Sequence, residues 1–587
     1  MDSGDRLAGF AARSGGRTTV EGPVTGELSH AGVSVQWWGL DPLPGTPTVL
    51  PLSRVRRSDT GAVDGVELAQ RIAADPRAAE QLLPPFAAAA CESASVAVAA
   101  DAMGFRPVYV ARGTAPSDAI VSTSALSAAR ALAAPLDEAA VAVQSLLGWQ
   151  LGQRTLHLGV RKLEPCAVAR VTADGVDVEQ HPVGHQPSFS LEEAVPRAAA
   201  LLRRSLESLL DEHPDAVLQL TGGQDSRLLL SAVPPARRRG LHAMTLGCAG
   251  ERDVEVASRL AARDGLVHEV HPLAGADALA PAEAWERCLT SAMRLDATSD
   301  PVALAALDIA EGAFGQGTRI SGLGGEIARG FYYFGRVHDR PYGRGDAERL
   351  AAWRMFVNDS IEPGAVEEEF ARWSRAVAVD DVYESLRGGG DEWHRATDHL
   401  YLRHRMQRWA GVTDAAVADR RIVVNPMLHP EFLSIAARLV PADKAASRFL
   451  SLLQIELDPE LARIPLEGRP APVAYARPGL LSIARQNVSR VRKGACKAVQ
   501  RARRGNRPPA GGAQLTRLVV EAWREDPARI VSGAADFVRA DWLDAVLSGK
   551  IDPRPSSVGY VTNLVAAVRA SAGSQAHRSV GGRMNDL

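Results

Sequence analysis

The chain has 587 residues, and its acidic and basic side chains nearly cancel, leaving a formal net charge of -2. This length exceeds what one hydrophobic core usually organises, so we expect at least two domains. A balanced charge provides no overall attraction to nucleic acid or to an anionic membrane, and we expect neither as a partner. No apolar run approaches about 18 residues, and the first residues lack the basic and apolar regions of a signal peptide. We therefore expect a cytoplasmic protein.

The cysteines are scattered along the chain without the C-x-x-C spacing of a zinc site or the density of a disulfide framework. They are Cys91, Cys166, Cys248, Cys288 and Cys496. This pattern also fits a reducing compartment.

The first 187 residues are predicted to form a strand-rich domain. Apolar residues alternate at 95–99 and 107–110, and two further alternating runs flank Asp174-Gly175, which is a hairpin signal. Residues 181–190 have the composition of a linker, and Ser190 is a suitable N-cap for a helix that follows. We therefore divide the chain into domains at 1–187 and 190–587.

The second domain is predicted to contain a parallel α/β sheet, because strands and helices alternate along it. We expect a helix from 191 to about 211, strands at 217–220, 241–247 and 266–270, and a helix at 253–264. From about residue 350 onward the pattern is mostly helical. Ligands of such sheets bind at the carboxyl ends of the strands.

The most informative segment is Thr221-Gly222-Gly223-Gln224-Asp225-Ser226, which follows the apolar run 217–220. A strand that ends in a glycine-rich turn and restarts as a helix presents free backbone N–H groups to an anion. The lysine of the G-x-x-x-x-G-K-[ST] loop is missing, and the aspartate suggests Mg²⁺. We predict a pyrophosphate-binding loop, with a purely structural glycine turn as the alternative.

A second glycine cluster, Ser321-Gly322-Leu323-Gly324-Gly325-Glu326, also runs from an apolar approach into a carboxylate. If both preceding strands lie in one parallel sheet, Asp225 and Glu326 face the same crevice and can share a Mg²⁺. The alternative is that Glu326 only caps a helix.

These two segments, with Thr245-Leu246-Gly247, resemble the S-G-G-x-D-S loop and nucleotide-binding strands of the asparagine-synthetase superfamily of ATP pyrophosphatases. The resemblance implies that ATP is split into an acyl-adenylate and pyrophosphate, with Asp225 and Glu326 binding Mg²⁺. Glu326 replaces the aspartate that the family usually carries. The resemblance assigns phosphate and nucleoside contacts to Leu220, Thr221, Gly222, Gly223, Gln224, Asp225, Ser226, Leu246, Gly247, Ser321 and Gly322.

The N-terminal region resembles the glutaminase half of the same superfamily, because residues 101–109 are similar to its D-x-x-G-x-x-P-L-Y segment. The resemblance implies an N-terminal-nucleophile β sandwich packed on an α/β ATP-pyrophosphatase domain with a helical C-terminal part. Such glutaminases need a cysteine directly after the initiator methionine, and residue 2 here is Asp2. We therefore expect a degenerate glutaminase domain that releases no ammonia, so the amine must come from a substrate.

Among superfamily members, asparagine synthetases carry a glutamate and β-lactam synthetases a tyrosine between the first two glycines of the second loop. This chain has Leu323, whose apolar side chain can do neither job. The chain most resembles the lasso-peptide cyclases. In them a side-chain carboxylate of an Asp or Glu in the precursor core peptide is adenylated, and the peptide's N-terminal amine attacks it to form a macrolactam. The resemblance implies ATP and Mg²⁺ as cofactors, and a leader-peptide-binding protein and a leader peptidase as partners.

Two alternatives remain open at this stage. One is a β-lactam synthetase or asparagine-synthetase-like amide ligase acting on a small substrate. The other is a non-catalytic scaffold that uses the basic segment 485–507 to bind a partner, and the alternative explanation of that segment is a solvated helix and flexible loop.

Four further residues are candidates by their position in the resemblance. Asp296 lies in an acid-rich loop that would face the substrate, with an Asx-capped turn as the alternative. Arg405 and Arg408 resemble an R-x-D-R segment, and Arg408 would stabilise charge near the adenylate; a structural ion pair is the alternative. Arg469 stands where β-lactam synthetases keep a catalytic lysine, and an arginine there can bind phosphate but cannot shuttle protons.

Overall fold

The computed structural model describes residues 8–14, 24–45, 48–115, 117–181, 187–247, 250–272, 275–312, 317–333, 337–476 and 512–571. None of the helices in these ranges combines the length and the apolar character needed to cross a membrane. The basic segment 485–507 lies outside the described residues.

The strands of the described ranges are β1 (Gly9–Arg13), β2 (Gly26–His30), β3 (Val33–Trp38), β4 (Val49–Pro51), β5 (Ala87–Cys91), β6 (Val96–Ala100), β7 (Tyr109–Arg112), β8 (Ala119–Ser122), β9 (Val160–Lys162), β10 (Ala167–Thr172), β11 (Gly175–Gln180), β12 (Val217–Gln219), β13 (His242–Leu246), β14 (Val267–His271), β15 (Arg319–Ile320) and β16 (Val423–Val424).

The α-helices of the same ranges are α1 (Gly65–Ala74), α2 (Ala125–Leu132), α3 (Glu138–Leu147), α4 (Leu191–Glu212), α5 (Gln224–Ala232), α6 (Arg252–Asp264), α7 (Pro281–Arg294), α8 (Pro301–Gly312), α9 (Arg344–Leu350), α10 (Phe356–Asp359), α11 (Glu368–Arg387), α12 (Trp393–His399), α13 (Val412–Ala418), α14 (Pro430–Arg438), α15 (Pro441–Lys444), α16 (Arg448–Leu457), α17 (Val473–Ala476), α18 (Gly512–Glu525), α19 (Ser532–Ala535), α20 (Ala540–Leu547) and α21 (Pro555–Ser571). Two π-helical segments span Ala351–Met355 and Leu400–Gly411, and a 3₁₀ turn spans Gly325–Arg329.

The N-terminal part is built from two antiparallel sheets, in the orders β2-β3-β1-β8-β7-β9 and β11-β10-β6-β5-β4. Phe10, Val35 and Val98 belong to a buried cluster that the inner faces of both sheets share. Helix α1 covers the outer face of the second sheet, and α2 covers the outer face of the first. The result is a four-layer helix–sheet–sheet–helix arrangement, and the hairpin predicted at Asp174-Gly175 joins β10 to β11.

The parallel sheet predicted for the second part is present, with the strand order β14-β13-β12-β15-β16. If the five strands are numbered by their order in the chain, they lie across the sheet in the order 3-2-1-4-5. The direction in which successive strands are added therefore reverses between β12 and β15. In open parallel sheets that reversal creates a crevice at the carboxyl ends of the two central strands. The strand expected before the second glycine cluster is β15, which has only two residues. The equally short β16 was not predicted, because two residues carry too little periodicity to be recognised.

Helix α4 begins as predicted after Ser190, whose hydroxyl accepts the Glu193 N–H while the Glu193 carboxylate accepts the Ser190 N–H. This capping box marks the position in the sequence at which the N-terminal sheets end and the part with the parallel sheet begins. The hydrophobic core is not separated there. Phe105 and Trp149, from the N-terminal part, belong to the same buried cluster as Leu218 and Leu228 beside the parallel sheet.

Candidate active site at the sheet switch point

The first glycine loop joins β12 to α5, and its own side chains hold its shape. Ser226 Oγ accepts the Thr221 N–H at 3.0 Å and lies 2.9 Å from Thr221 Oγ1, which accepts the Gly223 N–H at 3.2 Å. The N-cap of α5 is Gly223, which has no side chain to bond the first helical N–H groups. The positive end of the helix dipole at α5 therefore points into the crevice with its first amides available to an anion.

The second glycine loop packs directly against the first. Strands β12 and β15 are parallel neighbours, with Val217 opposite Arg319. A Cβ at Gly322 would lie 2.9 Å from Ser226 N, and one at Gly325 would lie 2.4 Å from Asp225 Oδ1. A side chain at either position would collide with the first loop, so both positions require glycine. The two loops therefore meet at one edge of the sheet, as predicted.

The two carboxylates predicted to bind metal converge on one arginine that sequence reasoning missed. Arg329 Nη2 lies 2.9 Å from Glu326 Oε1 and 3.4 Å from Asp225 Oδ2. Burial raises the pKa of Asp225 to about 7; the Arg329 guanidinium opposes this rise, and the neighbouring Glu326 carboxylate adds to it. The only advance signal for Arg329 was its spacing three residues after Glu326, which places the two side chains on one side of a helical turn.

The carboxylate pair fits a divalent cation that is shared with phosphate. Asp225 Oδ1 is buried and has no hydrogen-bond partner among the described residues, which leaves an acceptor free for a ligand. Within the described ranges no group of three or more His, Cys, Asp or Glu side chains could hold a metal by itself. Mg²⁺ commonly binds through one or two carboxylates and completes its shell with water and substrate phosphates. The residues present therefore fit such a site, and metal binding by Asp225 and Glu326 stays a prediction.

Residues 464–469 form a strap against the first loop. Arg227 Nη1 and Nη2 donate to the carbonyls of Ile464 and Pro465, and the Glu467 N–H donates to Gly222 O at 2.9 Å. Arg469 at the end of the strap is close enough to Asp225 to oppose the rise of its pKa. The strap therefore adds a second guanidinium to the crevice, and phosphate binding by Arg469 stays a prediction.

The side chain of Asp253, which was also not predicted as a site residue, contacts the first glycine loop on the other side from the strap. Its Oδ1 accepts the Gly222 N–H at 2.8 Å from the first turn of α6. Burial and the neighbouring Glu467 raise the pKa of Asp253. The amides of Thr221, Gly222 and Gly223 are thus all paired, and the amides that remain for an anion are those at the start of α5.

The predicted nucleoside contacts lie around the carboxyl ends of the central strands. Thr245 Oγ1 donates to Leu220 O at 2.7 Å, the Gly247 N–H donates to His271 O at 2.9 Å, and the Ser321 N–H donates to Val424 O at 3.0 Å. Leu246 is half-buried beside Val217 and Met244. These bonds fix the backbone on both sides of the crevice.

Gln224 contributes only its backbone to the site. Its side chain is 1 % exposed and donates through Nε2 to Ser451 Oγ of α16 at 3.3 Å. It therefore packs away from the crevice and anchors the first turn of α5.

The described contacts of Asp296 and Arg408 are with the N-terminal part and none is with the glycine loops, so the structure adds no support to their predicted role at the substrate site. Asp296 Oδ1 accepts from Ser124 Oγ at 2.8 Å and from the Leu126 N–H at 3.3 Å, so it caps α2 of the N-terminal part. Arg408 is fully buried and donates to the Arg154 carbonyl. Both side chains interact electrostatically with the buried hydroxyl of Tyr109. The acid-rich composition around Asp296 is a local feature of the sequence. The contacts of Asp296 are with residues far away in the chain, which local composition does not reveal.

The comparisons with known proteins add no family assignment. No protein-family model matches the chain, and no curated protein matches it at a significant level.

Proposed function

We propose that this protein is an ATP-dependent ligase that forms amide bonds through an acyl-adenylate and uses a peptide as its substrate. The observation that carries the proposal is the convergence of two glycine loops at the switch point of a parallel sheet, with the unpartnered Asp225 Oδ1 between them. This arrangement supports binding of a nucleoside triphosphate together with Mg²⁺. When bound, Mg²⁺ would neutralise phosphate charge as pyrophosphate leaves.

The chain's own residues supply the remaining elements of the proposed site. The first-turn amides of α5 and the guanidinium groups of Arg329 and Arg469 provide positive charge for the phosphates. Gly322 and Gly325 allow the second loop to approach without a side chain in the way.

The proposed substrate is a lasso-peptide precursor whose leader has been removed. An Asp or Glu carboxylate of the core peptide would attack the α-phosphate, pyrophosphate would leave, and the peptide's N-terminal amine would close the macrolactam with release of AMP. The argument for a peptide substrate is Leu323, whose apolar side chain stands where asparagine synthetases carry a glutamate and β-lactam synthetases a tyrosine. A leader-binding protein and a leader peptidase are the proposed partners, and the four-layer N-terminal part is proposed as a glutaminase-like domain without that activity.

Product analysis tests the proposal. The protein would be incubated with ATP, Mg²⁺ and either a leaderless precursor peptide or a mixture of free amino acids. We expect AMP release and a peptide that has lost one water only in the first reaction. AMP release with free amino acids alone would instead identify a small-substrate ligase, and no turnover with either would leave the scaffold alternative.

A matched pair of variants assigns the turnover to the crevice. Asp225→Ala removes the buried carboxylate, and Asp380→Ala removes an exposed carboxylate of similar size on α11. We expect Asp225→Ala to reduce AMP release by about 100-fold or more, as for removal of one group that stabilises transition-state charge. Asp380→Ala should turn over at the rate of the unaltered protein.

A further inference from the structure

A cavity of about 280 Å³ lies outside the two glycine loops, between α3, α8, α21 and the π-helical segment Leu400–Gly411. Its walls combine Trp149 of the N-terminal part with Arg405 and Tyr560 of the C-terminal part. Trp409 also lines the cavity and is 39 % exposed, so it marks the side that opens to solvent. Of the described residues, none from 221–226 or 321–326 contributes to this wall.

Three buried polar atoms of the wall residues lack a hydrogen-bond partner in the described structure: Trp149 Nε1, Tyr560 Oη and Asn563 Oδ1. These side chains are 0 %, 4 % and 2 % exposed. The orientation of the Asn563 amide is set, because its Nδ2 donates to Ser299 O at 2.8 Å. Buried polar groups are normally satisfied, so three unsatisfied ones around one cavity make it a candidate place for a polar ligand.

The charged groups of the wall are two carboxylates and one guanidinium, those of Asp300, Asp359 and Arg405. Asp300 Oδ1 accepts the N–H groups of Val302 and Ala303 at the start of α8. Burial raises the pKa of Asp359 to about 6, opposed by Arg405, so this carboxylate is still ionised at neutral pH. The guanidinium lies over the rings of Trp149 and Trp409, at 5.7 and 4.7 Å from their centroids. Burial also raises the pKa of Asp300, so a cationic group in the occupant would favour the ionised form of both carboxylates, which outnumber the one guanidinium.

The wall therefore offers acceptors and donors of different kinds to one occupant. Asp359, Asn563 Oδ1 and the Tyr560 hydroxyl can accept hydrogen bonds from an ammonium, which has three donors. Trp149 Nε1–H and Arg405 can donate to a carbonyl or carboxylate oxygen. An α-ammonium next to a carbonyl carbon is the group that presents both functions within such a small volume.

We propose that this cavity binds the α-amino end of an amino acid or of a short peptide, separately from the glycine-loop site. The ammonium is held by Asp359, Asn563 and Tyr560, and the adjacent carbonyl or carboxylate oxygen is held by Trp149 and Arg405. The aromatic walls accommodate an apolar side chain. The proposal does not depend on the adenylation chemistry.

Ligand-observed saturation-transfer NMR on the full chain tests the proposal with L-phenylalanine, the tripeptide Phe-Ala-Ala, and the N-acetylated form of each. We expect at least one free-amine probe to bind and its acetylated form to bind about tenfold more weakly or not at all, since acetylation removes a charge-assisted hydrogen bond. Binding of L-phenylalanine alone identifies free amino acids as the source, and binding of the tripeptide identifies a peptide N-terminus. Equal binding of free and acetylated probes, or binding of neither, overturns the proposal.

Variants then locate the binding. Asp359→Asn and Tyr560→Phe keep the size of each side chain, and the Tyr560 hydroxyl has no partner to lose, so the folded chain should be retained. Each should weaken the free-amine probe by about threefold to tenfold. Tyr342→Phe, which removes a hydroxyl bonded to the Gly390 carbonyl outside the cavity, is the matched control and should bind normally. Unchanged affinity in both cavity variants would contradict the assignment.

Asp225→Ala separates this inference from the proposed ligase function. We expect the Asp225→Ala protein to keep probe binding and to lose AMP release. The second-site proposal and the ligase proposal can therefore fail independently of each other. Loss of probe binding in a folded Asp225→Ala protein would mean that the probes occupy the glycine-loop site, which also overturns the second-site proposal.

Discussion

The Asp225 carboxylate is buried, and its charged neighbours are the Glu326 carboxylate and the Arg329 guanidinium. These three influences together determine how Asp225 responds to pH. Its Oδ2 lies 3.4 Å from Arg329, while Oδ1 has no partner among the described residues. Because its pKa is raised to about 7, the folded protein binds a proton there that the unfolded chain releases at a lower pH. Its contribution to stability is therefore present below about pH 4 and is lost as the pH rises through about 7.

Asp225→Asn tests this linkage in the absence of ATP and metal. The amide stays neutral, so we expect the variant to unfold at a higher temperature than the unaltered protein at pH 8, and the difference to shrink at pH 4.5. Thermal unfolding followed by circular dichroism at both pH values measures it, with the exposed Asp380→Asn as the control. A difference that is the same at both pH values would show that Asp225 is not the titrating group.

Asp296 illustrates how one residue can join two distant parts of the chain. Its carboxylate accepts from Ser124 and Leu126 at the start of α2, and its own backbone has a φ of +49°, in the left-handed region. It stabilises α2 in the way that an N-cap does, although it comes from more than a hundred residues away.

Asp296→Ala should therefore reduce stability and leave nucleotide binding intact. We expect a loss of about 1–3 kcal/mol, because the buried Leu126 N–H and Ser124 hydroxyl lose their acceptor. Urea unfolding gives the free energy, and the KM for ATP gives the second readout. Asp64→Ala, which removes an exposed cap of α1, is the comparison and should lose less stability than Asp296→Ala. A raised KM without a stability change would return Asp296 to the substrate site.

At the scale of elements, the candidate site depends on direct contact between the two glycine loops. Gly322 and Gly325 have no side chains that would hold the loops apart. The neighbours of Gly322 are backbone atoms of the first turn of α5, which cannot rotate away from an added methyl group. The strap 464–469 then packs on the other side of the same loop through Arg227 and Glu467. The anion-binding amides are thus held in position by two segments that are remote in sequence.

Gly322→Ala tests whether this contact positions the site. The added Cβ would lie 2.9 Å from Ser226 N, so the loops must move apart. We expect a loss of about 1–3 kcal/mol in stability and at least about a tenfold fall in AMP release. The control is Gly343→Ala, where an added Cβ meets no atom within 4 Å. Equal behaviour of the two variants would contradict the role given to loop contact.

At the scale of the whole molecule, the N-terminal sheets and the parallel sheet are joined by buried charge as well as by a shared core. Arg106 Nη1 lies 3.2 and 3.1 Å from the carboxylate oxygens of Asp419, and its Nη2 donates to the Ala8 carbonyl. Both side chains are almost fully buried. Removal of one partner leaves an uncompensated charge in the interior.

Asp419→Ala should consequently destabilise the entire chain. We expect a loss of about 3–5 kcal/mol for this buried pair. Removal of an exposed pair by Asp380→Ala, opposite Arg344, should have a much smaller effect on stability, because solvent screens that pair. Denaturant unfolding measured by tryptophan fluorescence compares the two, and similar losses would argue against joining of the two parts by this ion pair.

The sequence alone determined the features that depend on a few neighbouring residues. The Ser190 cap, the hairpin at Asp174-Gly175 and the passage from β12 through glycines into α5 were predicted because capping, turn conformation and side-chain period act locally. The convergence of Asp225 with Glu326 was also predictable, since parallel strands place their carboxyl ends at one edge.

Only the tertiary structure decided which distant groups meet at that edge and which do not. Arg329 bridges the two carboxylates and Asp253 pairs with the Gly222 amide, whereas Asp296 and Arg408 lie against the N-terminal part. Short strands such as β15 are stabilised by their neighbours in the sheet rather than by their own composition. Such contacts depend on packing between segments hundreds of residues apart, which no local pattern of side chains encodes.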